Sequence, residues 1–164
     1  MANDDTTRCH AVQLAAGVAA AAALAGKSAS AEPRNVVGVW RLVSAKATDQ
    51  NGKPVDVPYG PRGIGIVALS ADGRMTNVLV DSRAKLPDGA KREYGSYCGN
   101  YTFDGTTLIT TVDASADPAR IGSQQVRQVR FEGERMVLLP PPRESGGDKV
   151  MRELTWERIS PISL

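Results

Sequence analysis

The side chains with the most chemical potential are Gln125 and Arg127, two polar residues embedded in an otherwise strand-like segment, 123–131. Strand alternation points Gln125, Arg127, Val129 and Phe131 to one side, although Val126 interrupts the pattern. A guanidinium carried into an apolar interior needs hydrogen-bonded partners, because burying it unpaired is costly. One partner would be the carboxylate, or another anionic group, of a ligand. The other reading is an internal ion pair with Asp81, Asp113 or Glu153. Arg152 poses the same question in the last strand, where it shares a face with Trp156. Tyr97 and Tyr101 complete the set. Their rings either line a ligand cavity and offer hydroxyl donors, or pack in the core with a wet hydroxyl.

Several familiar chemistries lack their residues. The single histidine, His10, lies in the N-terminal segment, so neither a Ser–His–Asp set nor a histidine metal site can form after it. Of the two cysteines, Cys9 precedes an apolar N-terminal run and Cys98 stands alone, with nothing nearby to lower its pKa. No glycine loop precedes a helix to cradle phosphate. Asp113, Asp117, Glu153 and Glu157 read as solvated surface charges. We therefore assign no catalytic residue, metal ligand or cofactor. Twenty basic and eighteen acidic residues are interleaved, for a net charge of +2, without the basic stripe that nucleic-acid binding needs.

These residues must be positioned by a regular framework. Turn signals recur at Asn51-Gly52, Asp72-Gly73, Asp88-Gly89, Asp104-Gly105, Glu132-Gly133 and Gly146-Gly147, with short runs of Val, Ile, Leu, Thr and Tyr between them. The spacing predicts eight strands at about 37–47, 62–70, 74–81, 97–103, 106–114, 123–131, 135–140 and 149–159, with a short extra one near Pro54–Val57. No later segment sustains a helical period. A flat meander of this length would expose two edges, and closure into an up-and-down barrel removes them. Alternation turns Tyr97, Gly99, Tyr101 and Phe103 inward, as well as Met136, Leu138 and Pro140, and Val150, Arg152, Leu154, Trp156 and Arg158. Segments 82–96 and 115–122 are polar connections, either lids over a barrel mouth or plain surface loops. The run Pro140-Pro141-Pro142 ends its strand, since proline has no N–H for the ladder.

Residues 11–25 are Ala-rich and apolar, and Ala29-Ser30-Ala31 offers the small-x-small pattern of a signal-peptidase site. We expect a signal peptide over 1–31, a barrel domain over 32–164, and export to the periplasm or medium. Asp4 and Asp5 against Arg8 run counter to the usual positive start of a signal. The apolar run is too short for a stable membrane span.

Gly38-Val39-Trp40 resembles the Gly-x-Trp opening of the calycins, the lipocalins and their relatives. That likeness implies that Arg158, near the chain's other end, packs over Trp40 and closes the barrel floor, with Gly38 and Trp156 as structural companions. The chain resembles the bacterial lipocalin-like domain family more closely. The matching pieces are GVWRLVS at 38–44, IVALSADGRM at 66–75, YCGNY at 97–101, GSQQVRQVRFEGERM at 122–136 and LTWER at 154–158. Relatives often carry histidines where this chain has Thr110 and Thr111. The resemblance implies an all-β, eight-stranded lipocalin-like barrel. The leading functional expectation is binding of a small hydrophobic or amphipathic molecule, with an acidic group at Arg127. One alternative is a cofactor-independent isomerase or cyclase using Tyr97, Tyr101 and Arg127. Another is a structural module with a packed interior that binds a protein.

Overall fold

A computed structural model of the chain describes residues 35–60, 62–145 and 147–160. The expected signal segment, 1–31, lies outside these residues. Nine strands are present among them: β1 (Gly38–Thr48), β2 (Ile64–Leu69), β3 (Arg74–Val80), β4 (Tyr97–Phe103), β5 (Thr107–Ser115), β6 (Gln124–Glu132), β7 (Arg135–Leu139), β8 (Arg143–Ser145) and β9 (Asp148–Ser160). A short 3-10 turn, Pro118–Arg120, follows β5.

The strands pair antiparallel with their sequence neighbours from β1 to β7. β9 then bonds β7 on one side and β1 on the other, which closes an eight-stranded barrel. The ninth strand, β8, was not expected. Its three residues pair only with the start of β9, Arg143 opposite Val150, in a hairpin at the rim. The extra strand expected near Pro54 is a single bridge, Thr48 to Pro54.

Turn chemistry sets the connections. Asp104 accepts the backbone N–H of Thr106 at 2.8 Å and that of Thr107 at 2.7 Å, and the next residue, Gly105, takes φ 102°. An aspartate tying down the two amides beyond it, followed by a glycine with positive φ, tightens the β4–β5 link. Gly99 answers a different need. Opposite a bulge in β5, where the pairing passes over Asp113, an added Cβ would stand 1.9 Å from the Thr111 carbonyl oxygen, so no side chain fits.

One end of the barrel is sealed. Trp40 is buried and donates its indole N–H to the Val36 carbonyl at 2.8 Å. The Arg158 guanidinium lies 4.3 Å from the Trp40 ring centroid and donates to the carbonyls of Val37 and Asn35. Phe131 packs tilted against the same indole, with centroids 6.4 Å apart. Gly38 makes room: a Cβ there would meet Arg158 Nη1 at 3.0 Å. Every donor of this floor that the fold buries has a partner, as buried polar groups require.

Above the floor the interior is filled by Leu42, Val67, Leu69, Met75, Leu79, Leu108, Val112, Met136, Leu138, Leu154 and Trp156. All inward sets expected for β4, β7 and β9 point inward. A bulge in β1 between Leu42 and Ser44 reverses that strand's phase, so Trp40 and Leu42 face in below it and Ala45 and Ala47 above it.

Candidate functional site

The open end is where the barrel's hydrogen bonding breaks. β6 pairs with β7 only from Gln128, opposite Leu139, to Glu132. β7 stops there because Pro140, Pro141 and Pro142 follow and have no N–H to give. β9 rejoins β7 only at Leu154. Gln124 to Arg127 on β6 and Arg152 on β9 therefore flank a slot in the wall, filled by prolines. The N–H of Val129 donates toward β5, so alternation turns the Val126 carbonyl toward the slot. With no strand donor available, it accepts from Arg127 Nη1 at 2.6 Å.

Four spaces meet at this slot. The slot itself, about 160 Å³, is lined by Gln125, Arg127, the three prolines, Arg143 and Arg152 among others. Outward it meets an apolar groove of about 520 Å³, walled by Val126, Leu139, the prolines and Met151. Upward lies a vestibule of about 630 Å³ that includes Tyr59, Arg120, Arg143 and Arg152. Inward is a cavity of only about 30 Å³ between Trp156, Leu154, Tyr97 and Asn77. That volume admits a water molecule or two, not a drug-sized ligand. Arg152 lines all four.

The three carboxylates considered as internal partners of Arg127 are engaged elsewhere. Asp81 is fully buried and holds Arg83, whose Nη2 donates at 2.6 Å. Arg92 donates to the Asp81 and Arg83 carbonyls, which latches the 82–96 connection onto the end of β3. Asp113 pairs with Arg74 at 2.5 Å on the outer wall, and Glu153 pairs with Arg130 at 3.4 Å. Arg127 is left with the Val126 carbonyl and a long contact, 3.5 Å, to Gln125 Oε1. Among the described residues, neither Arg143 nor Arg152 has an ion-pair or hydrogen-bond partner, and Arg120 has only a loose 3.4 Å contact to Asp117. Burial lowers the pKa of Arg152, Arg143 lowers it further, and Arg127 and Arg120 add to the effect against an opposing contribution from Tyr59. The guanidinium remains charged, since the ordinary arginine value is so high. It sits among its own kind.

One more donor is unmet. The Trp156 indole N–H is buried, in a residue that lines the inner cavity, and finds no acceptor among the described residues. The slot and the inner cavity are thus rich in donors, with no carboxylate lining them among the described residues.

The family model described as a lipocalin-like domain matches residues 37–159. The chain belongs to the lipocalin-like domain family. Comparisons with curated proteins and with solved structures give no match. A lipocalin-like barrel is in general a scaffold for binding small molecules.

Within this lipocalin-like barrel the sequence-predicted site residues separate into two groups. Gln125, Arg127 and Arg152 converge at the slot, and Tyr97 lies just beneath, lining the inner cavity. Tyr101 does not join them. Its hydroxyl donates to the Ser70 carbonyl at 2.8 Å, and burial raises its pKa. Among the described residues no tyrosine hydroxyl bonds a carboxylate, the pairing an acid–base enzyme would use here. Thr110 faces the interior and Thr111 the solvent. Cys98 lies on the outer face and donates to Asp113 Oδ1 at 3.4 Å. That carboxylate and partial burial raise the thiol's pKa, so the thiol stays protonated.

Sequence reasoning missed Arg120 and Arg143. Both lie in connections, where alternation carries no information about direction. The available signal was a basic residue in each connection beside the mouth, Arg120 in 115–122 and Arg143 after the proline run.

Proposed function

We propose that this lipocalin-like protein is exported and binds an amphipathic small molecule at the slot in its wall, not deep in its barrel. The acidic end of the ligand meets Arg127 and Arg152, with Gln125 beside them. Its apolar part lies along the groove formed by Val126, Leu139, Met151 and the prolines. One observation carries this reading: guanidiniums without ion pairs among the described residues adjoin an open apolar groove while the barrel interior is filled. A charge left without a partner in a half-buried position is unfavourable unless something else supplies the counter-charge. Arginine's planar fork suits oxyanions.

The test is a titration of the purified full chain with octanoate, octyl phosphate and octanol, followed by tryptophan fluorescence and calorimetry. At least one of the two anions should bind more tightly than octanol. Arg127→Met or Arg152→Met should weaken that anion by about tenfold or more, the equivalent of one charged hydrogen bond of ~1.5–3 kcal/mol. Anions that bind no better than octanol defeat the proposal. Export is tested separately by fusing residues 1–36 to a reporter active only outside the cytoplasm, and a silent reporter rejects it.

A further inference from the structure

The headgroup's charge can be read from the same geometry. We propose that the ligand's headgroup is a dianion with three acceptor oxygens, as in a phosphomonoester, and not a simple carboxylate. This rests on the slot-binding reading above and deepens it.

The inner cavity and its mouth are lined by Arg120, Arg127, Arg143 and Arg152, and by no carboxylate among the described residues. Aspartates and glutamates do line the wider vestibule, namely Asp49, Asp56, Glu93, Glu144 and Asp148. Two of these are occupied at the rim. Asp49 accepts the backbone N–H groups of Asn51 and Lys53, and Asp148 accepts from Gln50. The basic character is therefore concentrated where the spaces narrow. A single carboxylate would neutralise one guanidinium and offer two oxygens. The half-buried Arg127 and Arg152, neither in an ion pair among the described residues, would have to share that one charge, with the exposed Arg143 beside them at the mouth.

The donor count points the same way. Each guanidinium carries five N–H donors and accepts nothing. Of these three arginines, only Arg127 has hydrogen bonds within the described residues. An acceptor-only group with more oxygens than a carboxylate satisfies more of this array. The phosphomonoester is the smallest common group that brings both three such oxygens and about two negative charges at neutral pH. Arg143 at the start of β8 and Arg120 on the 3-10 turn are then the residues that distinguish a dianion from a monoanion, since both line the vestibule and the inner cavity beside Arg152.

The deciding experiment compares octyl phosphate with octanoate on the unmodified full chain, so no variant needs to fold. At pH 7.5 octyl phosphate should bind at least about tenfold more tightly, a difference worth one extra charged hydrogen bond. Between pH 7.5 and pH 5 its affinity should fall toward that of octanoate, because the second phosphate proton binds near pH 6. Octanoate should change little over that range. Arg143→Met should reduce the preference for octyl phosphate over octanoate. If octanoate binds as tightly as octyl phosphate, or the phosphate ester shows no pH dependence, the dianion inference is wrong and the slot reading survives. If neither anion binds better than octanol, both fall.

Discussion

Replacing Arg152 with methionine should stabilise the protein in the absence of ligand. Methionine keeps most of the arginine's apolar stem and fills irregular space. It removes a charge that has no carboxylate partner among the described residues and sits near Arg127, Arg143 and Arg120. The side chain is half-buried, so each repulsion is screened and worth a few tenths of a kcal/mol, as for surface pairs of opposite sign. Three of them, plus relief of the burial of an unpaired charge, give about 1 kcal/mol in favour of the variant. For a barrel of this size that raises the melting temperature by about 3–4 °C. Thermal unfolding followed by circular dichroism measures it. The gain should shrink in ~1 M salt, where charges are screened within about 3 Å. Saturation with octyl phosphate should reverse the order, because ligand at a hundred times its dissociation constant stabilises the wild-type fold by ~2.7 kcal/mol. A variant that melts lower than wild type in the absence of ligand would refute the reasoning. Arg152 would then be held by contacts internal to the fold, and the slot would be a structural feature.

Other substitutions test the framework. Gly99→Ala should destabilise by more than about 4 kcal/mol or prevent folding, because its methyl group would collide with the Thr111 carbonyl; an urea midpoint close to wild type contradicts this. The Arg83 ion pair lowers the pKa of the buried Asp81 carboxylate below its unfolded value, so its stabilising contribution is complete above about pH 4 and is lost as pH falls through the lower folded value. Melting temperature from pH 6 to pH 2 should drop more steeply in wild type than in Asp81→Asn. Alkylation of Cys98 by iodoacetamide at pH 8 should be slower than for an unperturbed thiol, and Asp113→Asn should speed it by removing the charge that raises the thiol's pKa; an unchanged rate would show that the contact does not govern the thiol.

Much of the framework was legible because it rests on local rules. Asx-Gly pairs announced the turns, and a period of two announced which side chains of β4, β7 and β9 turn inward. The Trp40–Arg158 contact joins residues far apart in the chain, and it was readable only through resemblance. The features that escaped depend on pairing, which a local pattern cannot show. The bulge at Val43 changes the phase of β1 without any glycine or proline to mark it. Val137 has an outward position on β7 yet is fully buried, with Arg130 and Thr155 as its cross-strand neighbours. The slot exists because β7 ends at Leu139 while β9 continues past it, a mismatch in strand length that appears only once the register is known. Gln125, Arg127 and Arg152 were legible as inward polar residues, but where they converge was not.

Arg152 and Arg158 make the clearest case for separating scaffold from site. They lie on the same face of β9, six residues apart, and alternation treats them identically. Arg158 meets an indole face and two backbone carbonyls, so its burial is compensated within the fold. Arg152 lies within the electrostatic reach of three other cations and, among the described residues, hydrogen-bonds no acceptor. A purely structural residue in that position would be better served by a methionine or leucine, since an unpaired charge contributes nothing that an apolar stem does not. The cost of keeping a guanidinium there is therefore a physical indication that its partner comes from outside the chain. Anion binding at the slot would supply that partner, and the same argument extends to Arg127, whose one firm bond among the described residues is to a carbonyl that the proline run leaves without a strand donor.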